Sequence, residues 1–233
     1  MTAFTALEQA LRRSLGTGIG VSAADPRRPV PALFEAEKAA TTRMRAKRCQ
    51  EFAAGRATAR AAMVDLGVPP AAIPMRPDRA PLWPTGLCGS IAHCERAVIA
   101  VVADRRKLSG IGIDIEEDTD LPADLWAEVM TPDETVWLGQ QPPAEQGRRA
   151  KEVFCAKEAF HKLHHPLTGR MLGFDEVSLT WENQTFRVQP PIKTAMLPKT
   201  VIGHVLRAGG CVLAVMTVPG PVRAGKHNAG INA

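Results

Sequence analysis

The segment Gly110–Glu116, with the sequence GIGIDIE, alternates apolar residues with polar or small ones at a period of two. This alternation predicts a β-strand, because successive side chains of a strand point to opposite faces of its sheet. The three isoleucines should face a core, whereas Gly112, Asp114 and Glu116 should face the other side. The chain is therefore predicted to contain a sheet with an apolar face and, at this strand, an acidic one.

Asp114 and Glu116 share the polar face of this strand, with Cα atoms about 6.5–7 Å apart, the length of two strand rises. Their carboxyl groups can converge on one hard cation, and Gly112 leaves space beside them. Magnesium is the natural candidate, because proteins commonly hold it by one or two carboxylates together with substrate phosphates. The alternative is an amphipathic strand with a solvated acidic face. An EF-hand is excluded, because Thr119 stands where that loop needs glycine and Leu125 where it needs glutamate.

A second motif lies on a helix predicted from Arg148 to Leu163 and ending at His164-His165-Pro166. Glu158 and Lys162 are four residues apart and therefore share one helix face. At an exposed site this pair would be an ordinary stabilising contact. Beside a metal it would supply a third carboxylate and a neighbouring cation. His161 and the histidines that follow it are interpreted as helix-end residues favoured by the C-terminal dipole.

A third motif, Gly89-Ser90-Ile91-Ala92-His93, is predicted to form a turn leading into a short apolar strand at Ala97–Val102. A Gly-Ser turn exposes backbone N–H groups, and Ser90 and His93 add side-chain donors suited to phosphate. The alternative is a strand-entry turn that binds nothing. The apolar runs 97–102 and 111–116 are predicted to pair as a hairpin.

The two halves of the chain have a similar outline, in which a helix-rich segment is followed by paired strands. Residues 33–66 have helical composition and end at Gly67 and Pro69-Pro70. Further strands are predicted at Val177–Trp181, Thr185–Val188, Val201–Leu206 and Cys211–Val218. We predict an α+β fold of two similar α/β halves related by pseudo-twofold symmetry, each with a small, mainly antiparallel sheet packed on a long helix. The N-terminal half is assigned to residues 1–113 and the C-terminal half to 114–220, with a mobile tail at 221–233.

Composition limits the class of protein. Hydrophobic residues make up 45% of the 233 positions, and no apolar run approaches the ~20 residues that span a bilayer, so we expect a cytoplasmic protein without a membrane partner. The five cysteines form no C-x-x-C pair, which leaves a zinc site and a disulfide framework unsupported. The net charge of +5 fits an anionic ligand. Nucleic acid is disfavoured, because the chain has no zinc-finger pattern and no tyrosine for base stacking.

Taken together and in this order, GSIAH, GIDIE and FCAKEAFHK resemble the phosphopantetheinyl transferase family. The resemblance is closer to its single-chain carrier-protein-activating type, found in siderophore, polyketide and nonribosomal peptide pathways. Trp83-Pro84, Pro166-Leu167-Thr168 and Leu172-Gly173-Phe174 are also similar, so the resemblance covers roughly residues 43–180. One departure is Met171, where close relatives often have tryptophan.

The resemblance implies a reaction and roles for the matched residues. Coenzyme A would donate its 4′-phosphopantetheine arm to a serine hydroxyl of an acyl or peptidyl carrier protein, releasing adenosine 3′,5′-bisphosphate. Asp114, Glu116 and Glu158 would coordinate Mg²⁺, or Mn²⁺ in its place. Glu158 would also accept the serine proton, and Lys162, with Asp114, would complete the catalytic centre. The residues implied to bind coenzyme A are Arg48, Arg56, Arg76, Arg79, Ser90, His93 and Lys157.

The arginine roles, the partner and the main alternative function follow from the same resemblance. Arg48 and Arg56 would grip the 3′-phosphate or the pyrophosphate, and Arg76 and Arg79 would cover the adenine end, although each isolated arginine could also be a solvated residue. We expect an apo carrier protein as partner and a monomeric enzyme. One apolar segment could dock the carrier or form the buried face of a helix: Leu121, Leu125, Trp126 and Met130. A non-catalytic coenzyme A-binding or regulatory module is the alternative, which the complete carboxylate and lysine set disfavours.

Overall fold

Two antiparallel sheets organise the part of the chain that the structure describes, residues 1–191 and 194–221 of the computed structural model. The α-helices are α1 (Ala3–Leu15), α2 (Glu35–Lys38), α3 (Ala46–Asp65), α4 (Trp126–Val129), α5 (Pro132–Gly139) and α6 (Pro143–Thr168). The strands are β1 (Gly20–Ala24), β2 (Leu87–His93), β3 (Val98–Asp104), β4 (Leu108–Glu117), β5 (Leu179–Glu182), β6 (Thr185–Val188), β7 (Val201–Ala208) and β8 (Cys211–Pro219). The predicted α+β class is confirmed. Apart from Pro221, the tail predicted to be mobile lies outside the described residues.

The strand pairing differs from the prediction at the centre of the chain. The first sheet has the order β1-β3-β2 and the second the order β4-β8-β7-β6-β5. The predicted hairpin of residues 97–102 with 111–116 is therefore wrong, because β3 and β4 follow each other in sequence but belong to different sheets. The motif Gly89–His93, predicted as a turn, lies inside β2 and pairs with β3.

The two sheets face each other across a shared apolar core, and a long helix covers the outer face of each. Alternate residues of β3 show this arrangement. Ile99 and Val101 belong to the same buried cluster as Ile113 of β4, whereas Ala100 and Val102 pack with α3. On the second sheet, alternate residues of β8 pack with α6. The result is a four-layer arrangement of helix, sheet, sheet and helix.

Glycines let both long helices approach the strand backbone closely. A Cβ atom on Gly20 of β1 would lie 1.9 Å from the carbonyl oxygen of Ala62 in α3. A Cβ atom on Gly112 of β4 would lie 2.0 Å from the carbonyl oxygen of Ala159 in α6. Since no real Cβ fits at these distances, both contacts depend on glycine. The second contact brings the polar face of β4 beside the face of α6 that carries Glu158.

Helix α6 is longer than predicted. It continues through His164-His165-Pro166 to Thr168 and ends at Gly169, which has a left-handed conformation (φ 71°) and donates its N–H to the carbonyl of His165 at 2.8 Å. Pro166 lies inside the last turns of this helix and has no N–H, so one main-chain hydrogen bond is missing there.

Two shorter segments settle further expectations. In the segment suggested for carrier docking, Leu121 and Met130 are buried and Trp126 packs against the core, which favours the buried-helix alternative there; Leu125 is 38% exposed. Residues 33–66 divide into α2 and α3 with a short 3-10 turn between them.

No helix in the described ranges is long and apolar enough to cross a membrane.

Candidate functional site

A cleft of about 400 Å³ opens between α3, β2, the loop before β2 and α6. The sequence-predicted residues that line it are Arg48, Arg56, Arg79, Ser90, His93, Glu158 and Lys162. The fold thus brings residues more than a hundred positions apart into one concave site. Asp114 lies just behind this lining, where its carboxylate contacts Lys162.

Arg56 is the most buried arginine of the cleft, with 6% of its surface exposed. Its Nε donates to the carbonyl of Ile73 at 2.6 Å, and its guanidinium lies 4.1 Å from the ring centroid of Phe52. Burial lowers the pKa of Arg56 to about 10, so the side chain stays cationic at neutral pH. Among the described residues, no carboxylate lies within ion-pair distance of Arg56. A buried cation beside a cleft, with no carboxylate in direct contact, is suited to bind an anion.

Arg48 and His93 form a second basic contact in the cleft. Arg48 Nη1 donates to His93 Nε2 at 2.9 Å and to Glu51 Oε2 at 3.2 Å. Because a guanidinium can only donate, the His93 Nε2 atom accepts and the ring proton stays on Nδ1. Burial also lowers the pKa of His93, which favours this neutral form. His93 can therefore offer a neutral N–H donor to a ligand.

Ser90 connects the two sheets at the floor of the cleft. It is 4% exposed, and its Oγ accepts a hydrogen bond from the N–H of Ile113 in β4 at 3.1 Å. A hydroxyl that accepts one bond can still donate its own proton. Ser90 thus has a structural task that the sequence did not predict, and it keeps a donor for a ligand.

Lys162 of the cleft lining pairs with Asp114, which lies behind that lining. Lys162 Nζ lies 2.5 Å from Asp114 Oδ1, and although burial opposes the lysine charge, the Asp114 carboxylate raises the pKa of Lys162. The other oxygen, Asp114 Oδ2, is buried and has no hydrogen-bond partner in the described part of the chain. Such an orphaned buried acceptor is costly, and it marks a place where a further donor or a cation would be favourable.

Glu116 and Glu158 extend this acidic group on β4 and α6. Burial, and then the charge of Asp114, raise the pKa of both carboxyl groups. The oxygen-only donors and the orphaned Asp114 Oδ2 fit a magnesium ion. Over the ranges described, however, no three His, Cys, Asp or Glu side chains are grouped closely enough to hold a metal. The three-carboxylate ligand set therefore stays a prediction.

Two residues predicted to bind coenzyme A lie elsewhere. Lys157 is completely buried, donates to the carbonyls of Val129 and Phe174 at 2.8 Å each, and pairs with Glu134 at 2.6 Å. Adjacent helical residues point about 100° apart, so Lys157 faces the core while Glu158 faces the cleft. This placement contradicts a phosphate contact by Lys157. Arg76 is not part of the cleft lining; its nearest ionic partner is Asp78, 3.9 Å away.

The cleft also contains residues that sequence reasoning missed or assigned differently. His161 and His165, interpreted above as helix-end residues, line the cleft, and their spacing of three and seven positions from Glu158 could have placed them on its face. Trp83 also lines the cleft. It packs so closely on β2 that a Cβ atom on Gly89 would lie 2.7 Å from the indole ring. No local pattern in the sequence indicates that contact.

Comparison with known proteins gives two family models and several curated relatives. Residues 36–103 match the model of the 4′-phosphopantetheinyl transferase N-terminal domain, and residues 110–200 match that of the 4′-phosphopantetheinyl transferase superfamily. The chain is 36% identical over 208 residues to 4′-phosphopantetheinyl transferase Svp of Streptomyces mobaraensis, covering 87% of this chain and 73% of the relative. It is 41% identical over 136 residues to 4′-phosphopantetheinyl transferase Npt of Nocardia iowensis, covering 58% of this chain and 60% of the relative.

A third relative is enterobactin synthase component D of Salmonella typhi, with 30% identity over 177 residues, which cover 73% of this chain and 72% of the relative. The fold and cleft define an α+β protein with a cleft lined by basic side chains. The family models and relatives define it further: the chain belongs to the 4′-phosphopantetheinyl transferase family.

Proposed function

We propose that this protein transfers 4′-phosphopantetheine from coenzyme A to a serine hydroxyl of an apo acyl or peptidyl carrier protein and releases adenosine 3′,5′-bisphosphate. The observation that carries the proposal is a single cleft that is lined both by the buried cation of Arg56 and by Glu158 and Lys162. An anionic co-substrate can bind at one end of this cleft while a proton is removed at the other. Membership of the family supports the same reaction.

The basic side of the cleft binds coenzyme A in this proposal. Arg56 supplies a fixed cation for a phosphate. Arg48, about two turns earlier on the same helix, supplies a second cation. Ser90 and His93 donate neutral hydrogen bonds to phosphate oxygens. Arg79, in the loop before β2, covers the adenine end.

Glu158 and Lys162 carry the chemistry. Burial and the nearby Asp114 raise the pKa of Glu158, which makes its carboxylate a stronger proton acceptor. Glu158 takes the serine proton, the serine oxygen bonds to the phosphorus that bears the pantetheine arm, and the bond from that phosphorus to the bridging oxygen breaks. The leaving group is adenosine 3′,5′-bisphosphate. Lys162 stays charged beside Asp114 and offsets the growing negative charge.

Magnesium is the proposed metal, with manganese as a substitute, held by Asp114, Glu116 and Glu158. When bound, it neutralises charge on the pyrophosphate of coenzyme A. The orphaned Asp114 Oδ2 and the raised pKa values of the two glutamates support a cation at this place.

We also propose two halves related by pseudo-twofold symmetry, with the boundary before β4 instead of at residue 113, because the whole of β4, including Gly112, belongs to the second sheet. Glu37 and Arg60 form a buried ion pair 23 positions apart, and Glu134 and Lys157 form another at the same spacing. Ala62, two positions after Arg60, lies against Gly20, and Ala159, two positions after Lys157, lies against Gly112. These repeated contacts support a duplicated design.

The proposed partner is a carrier protein or carrier domain of siderophore, polyketide or nonribosomal peptide synthesis. The name of the Salmonella relative supports a siderophore role, because it describes a component of an enterobactin synthase. We further propose a cytoplasmic monomer that acts without nucleic acid or a membrane.

The deciding experiment incubates the protein with coenzyme A, Mg²⁺ and several apo carrier proteins and then weighs the carriers. A gain of about 340 Da, one phosphopantetheine group, is expected, and it should require the metal. Glu158→Gln should keep coenzyme A binding and lose most of the transfer, whereas the exposed Glu128→Gln should retain both. Binding of coenzyme A without any mass gain would favour the non-catalytic module instead.

A further inference from the structure

Glu37 is a buried carboxylate outside the cleft to which the proposed reaction assigns no role. It lies on α2, is 0% exposed, and accepts two hydrogen bonds from Arg60 Nη1 at 2.8 and 3.0 Å. Its Oε1 also accepts from the N–H of Ile73 at 2.9 Å. One carboxylate thus ties α2 to α3 and to the segment that follows α3.

The peptide groups of Ile73 connect Glu37 to the cleft. The N–H of Ile73 donates to Glu37, and the carbonyl of Ile73 accepts from Arg56 Nε at 2.6 Å. Ile73 is itself fully buried, so its backbone has little freedom to shift. The position of the Arg56 guanidinium is therefore set by a short chain of contacts that begins at Glu37.

Arg56 needs such an anchor, because it lies one helical turn from Arg60 on α3 and both side chains are buried. Two like charges at this spacing repel each other. Glu37 neutralises Arg60 directly and leaves Arg56 without a carboxylate of its own. The arrangement keeps one arginine for the fold and the other for a ligand.

We propose that Glu37 is a positioning residue for coenzyme A binding: it holds Arg56 in the cleft through the Ile73 backbone and touches neither substrate. This inference rests on the proposed function of Arg56 as a phosphate ligand. It assigns to Glu37 an effect on co-substrate affinity and little effect on the transfer step.

The second half of the chain supplies a matched control. Glu134 is 1% exposed, pairs with Lys157, and accepts from the N–H of Leu179 at 2.8 Å, in the same way as Glu37 serves Arg60 and Ile73. It contacts none of the cleft arginines. The same substitution at both glutamates therefore compares similar losses of packing and hydrogen bonding, only one of which disturbs Arg56.

The test substitutes Glu37→Asp and Glu134→Asp and measures coenzyme A binding by calorimetry. Aspartate keeps the negative charge, and hence its long-range effect on the cleft, but its shorter side chain withdraws from the backbone N–H. We expect Glu37→Asp to weaken coenzyme A binding about tenfold, the scale of one lost positioning hydrogen bond. Turnover at saturating coenzyme A should stay within about threefold of wild type. Glu134→Asp should leave the dissociation constant within about twofold.

A double-mutant cycle shows whether Glu37 acts through Arg56. In an Arg56→Ala background, Glu37→Asp should weaken binding no further, because the anchored side chain is already gone. Additive losses, or unchanged affinity in a folded Glu37→Asp protein, would overturn the proposal. If Glu37→Asp does not fold by circular dichroism, Glu37→Gln takes its place: its amide oxygen keeps the length needed to accept from the Ile73 N–H, so coenzyme A affinity should stay within about threefold of wild type. A tenfold loss in Glu37→Gln would assign the effect to the charge of Glu37 and overturn the proposed action through Ile73.

These outcomes are separate from those for the proposed function. Wild-type protein that binds coenzyme A but modifies no carrier would refute the transfer activity and leave the Glu37 cycle readable. Wild-type protein that binds no coenzyme A would refute both.

Discussion

Within the described part of the chain, Asp114 has one carboxylate oxygen with an ionic partner and one without a hydrogen-bond partner. One oxygen lies 2.5 Å from Lys162 Nζ, and the other is buried without a partner. Most buried polar atoms in proteins are hydrogen-bonded, and exceptions concentrate where a ligand or ion belongs. Asp114 also acts on its neighbours: the pKa values of Glu116 and Glu158 are raised first by burial and then by the negative charge of Asp114.

The two arginines of the loop before β2 can be separated by substitution. Arg79 lines the cleft and Arg76 does not, although the sequence assigns both to the adenine end. Arg79→Ala should raise the KM for coenzyme A about fivefold to tenfold through loss of a charge-assisted contact, whereas Arg76→Ala should stay within about twofold. Steady-state kinetics with coenzyme A as the varied substrate measures both, and equal effects would contradict the placement.

His161 should make the protein sensitive to acid. Burial lowers the pKa of His161 from 6.5 to about 4, and its Nε2 has no hydrogen-bond partner within the described ranges. Between these two pH values the unfolded chain binds a proton that the folded chain does not, so the free energy of unfolding falls as the pH is lowered through this window. His161→Phe, which keeps a ring to pack on Phe174, removes this loss.

Urea unfolding at pH 7, 5.5 and 4.5 checks the expectation for His161. The stability of His161→Phe relative to wild type should grow as the pH falls. A constant difference across the three pH values would show that His161 titrates alike in the folded and unfolded chains.

At the scale of elements, the contact between β4 and α6 sets the distance between the acidic strand and the catalytic helix. It depends on Gly112, where a Cβ atom would lie 2.0 Å from the Ala159 carbonyl oxygen. Because main-chain atoms cannot move aside without shifting the helix, a side chain here separates Asp114 from the face that carries Lys162 and Glu158. The helix and strand patterns predict both elements but not this separation.

Gly112→Ala should therefore destabilise the protein by about 2 kcal/mol or more and reduce transfer activity at the same time. Gly139→Ala is the control, because a Cβ atom there has no neighbouring atom within 4 Å and alanine suits a helix. Chemical unfolding and the carrier mass assay measure the two effects. An active, fully stable Gly112→Ala protein would show that the strand and helix can separate without consequence.

At the scale of the whole molecule, the shared core leads us to expect that the two sheets unfold together. Ile99 and Val101 of the first sheet are buried in the same cluster as Ile113 and Ile115 of the second. Neither sheet alone could shield these side chains from water, because each sheet covers the apolar face of the other. The cleft lies where the two layers and their helices meet, so its geometry depends on this packing.

Loss of core contacts at Ile113 should destabilise both sheets together. Ile113→Ala should cost about 2–5 kcal/mol, whereas Ile202→Ala, at a position 46% exposed, should cost less than about 0.5 kcal/mol. Hydrogen exchange followed by mass spectrometry should show β3 and β8 losing protection by similar amounts in Ile113→Ala. Loss confined to the second sheet would contradict a shared core.

The local patterns of the sequence were sufficient for the features that short-range chemistry controls. The period of two at 110–116 correctly predicted a strand whose isoleucines are buried, at 0–2% exposure. The spacing of Glu158 and Lys162 correctly placed them on one helix, and motif order indicated the family. The arginines at 48 and 56 were assigned by resemblance, and both line the cleft.

Only the tertiary structure decided which strands pair, which way Lys157 faces and what Ser90 and Glu37 contact. The error at β3 and β4 arose because sequence neighbours favour a hairpin, whereas the shared core places these strands in separate sheets. Lys157 and Glu158 are adjacent in sequence, yet one pairs with Glu134 in the core and the other faces the cleft. Sequence periodicity determines which side chains of a helix or strand share a face. Packing against segments that are distant in sequence determines whether that face lies in the core or at the cleft.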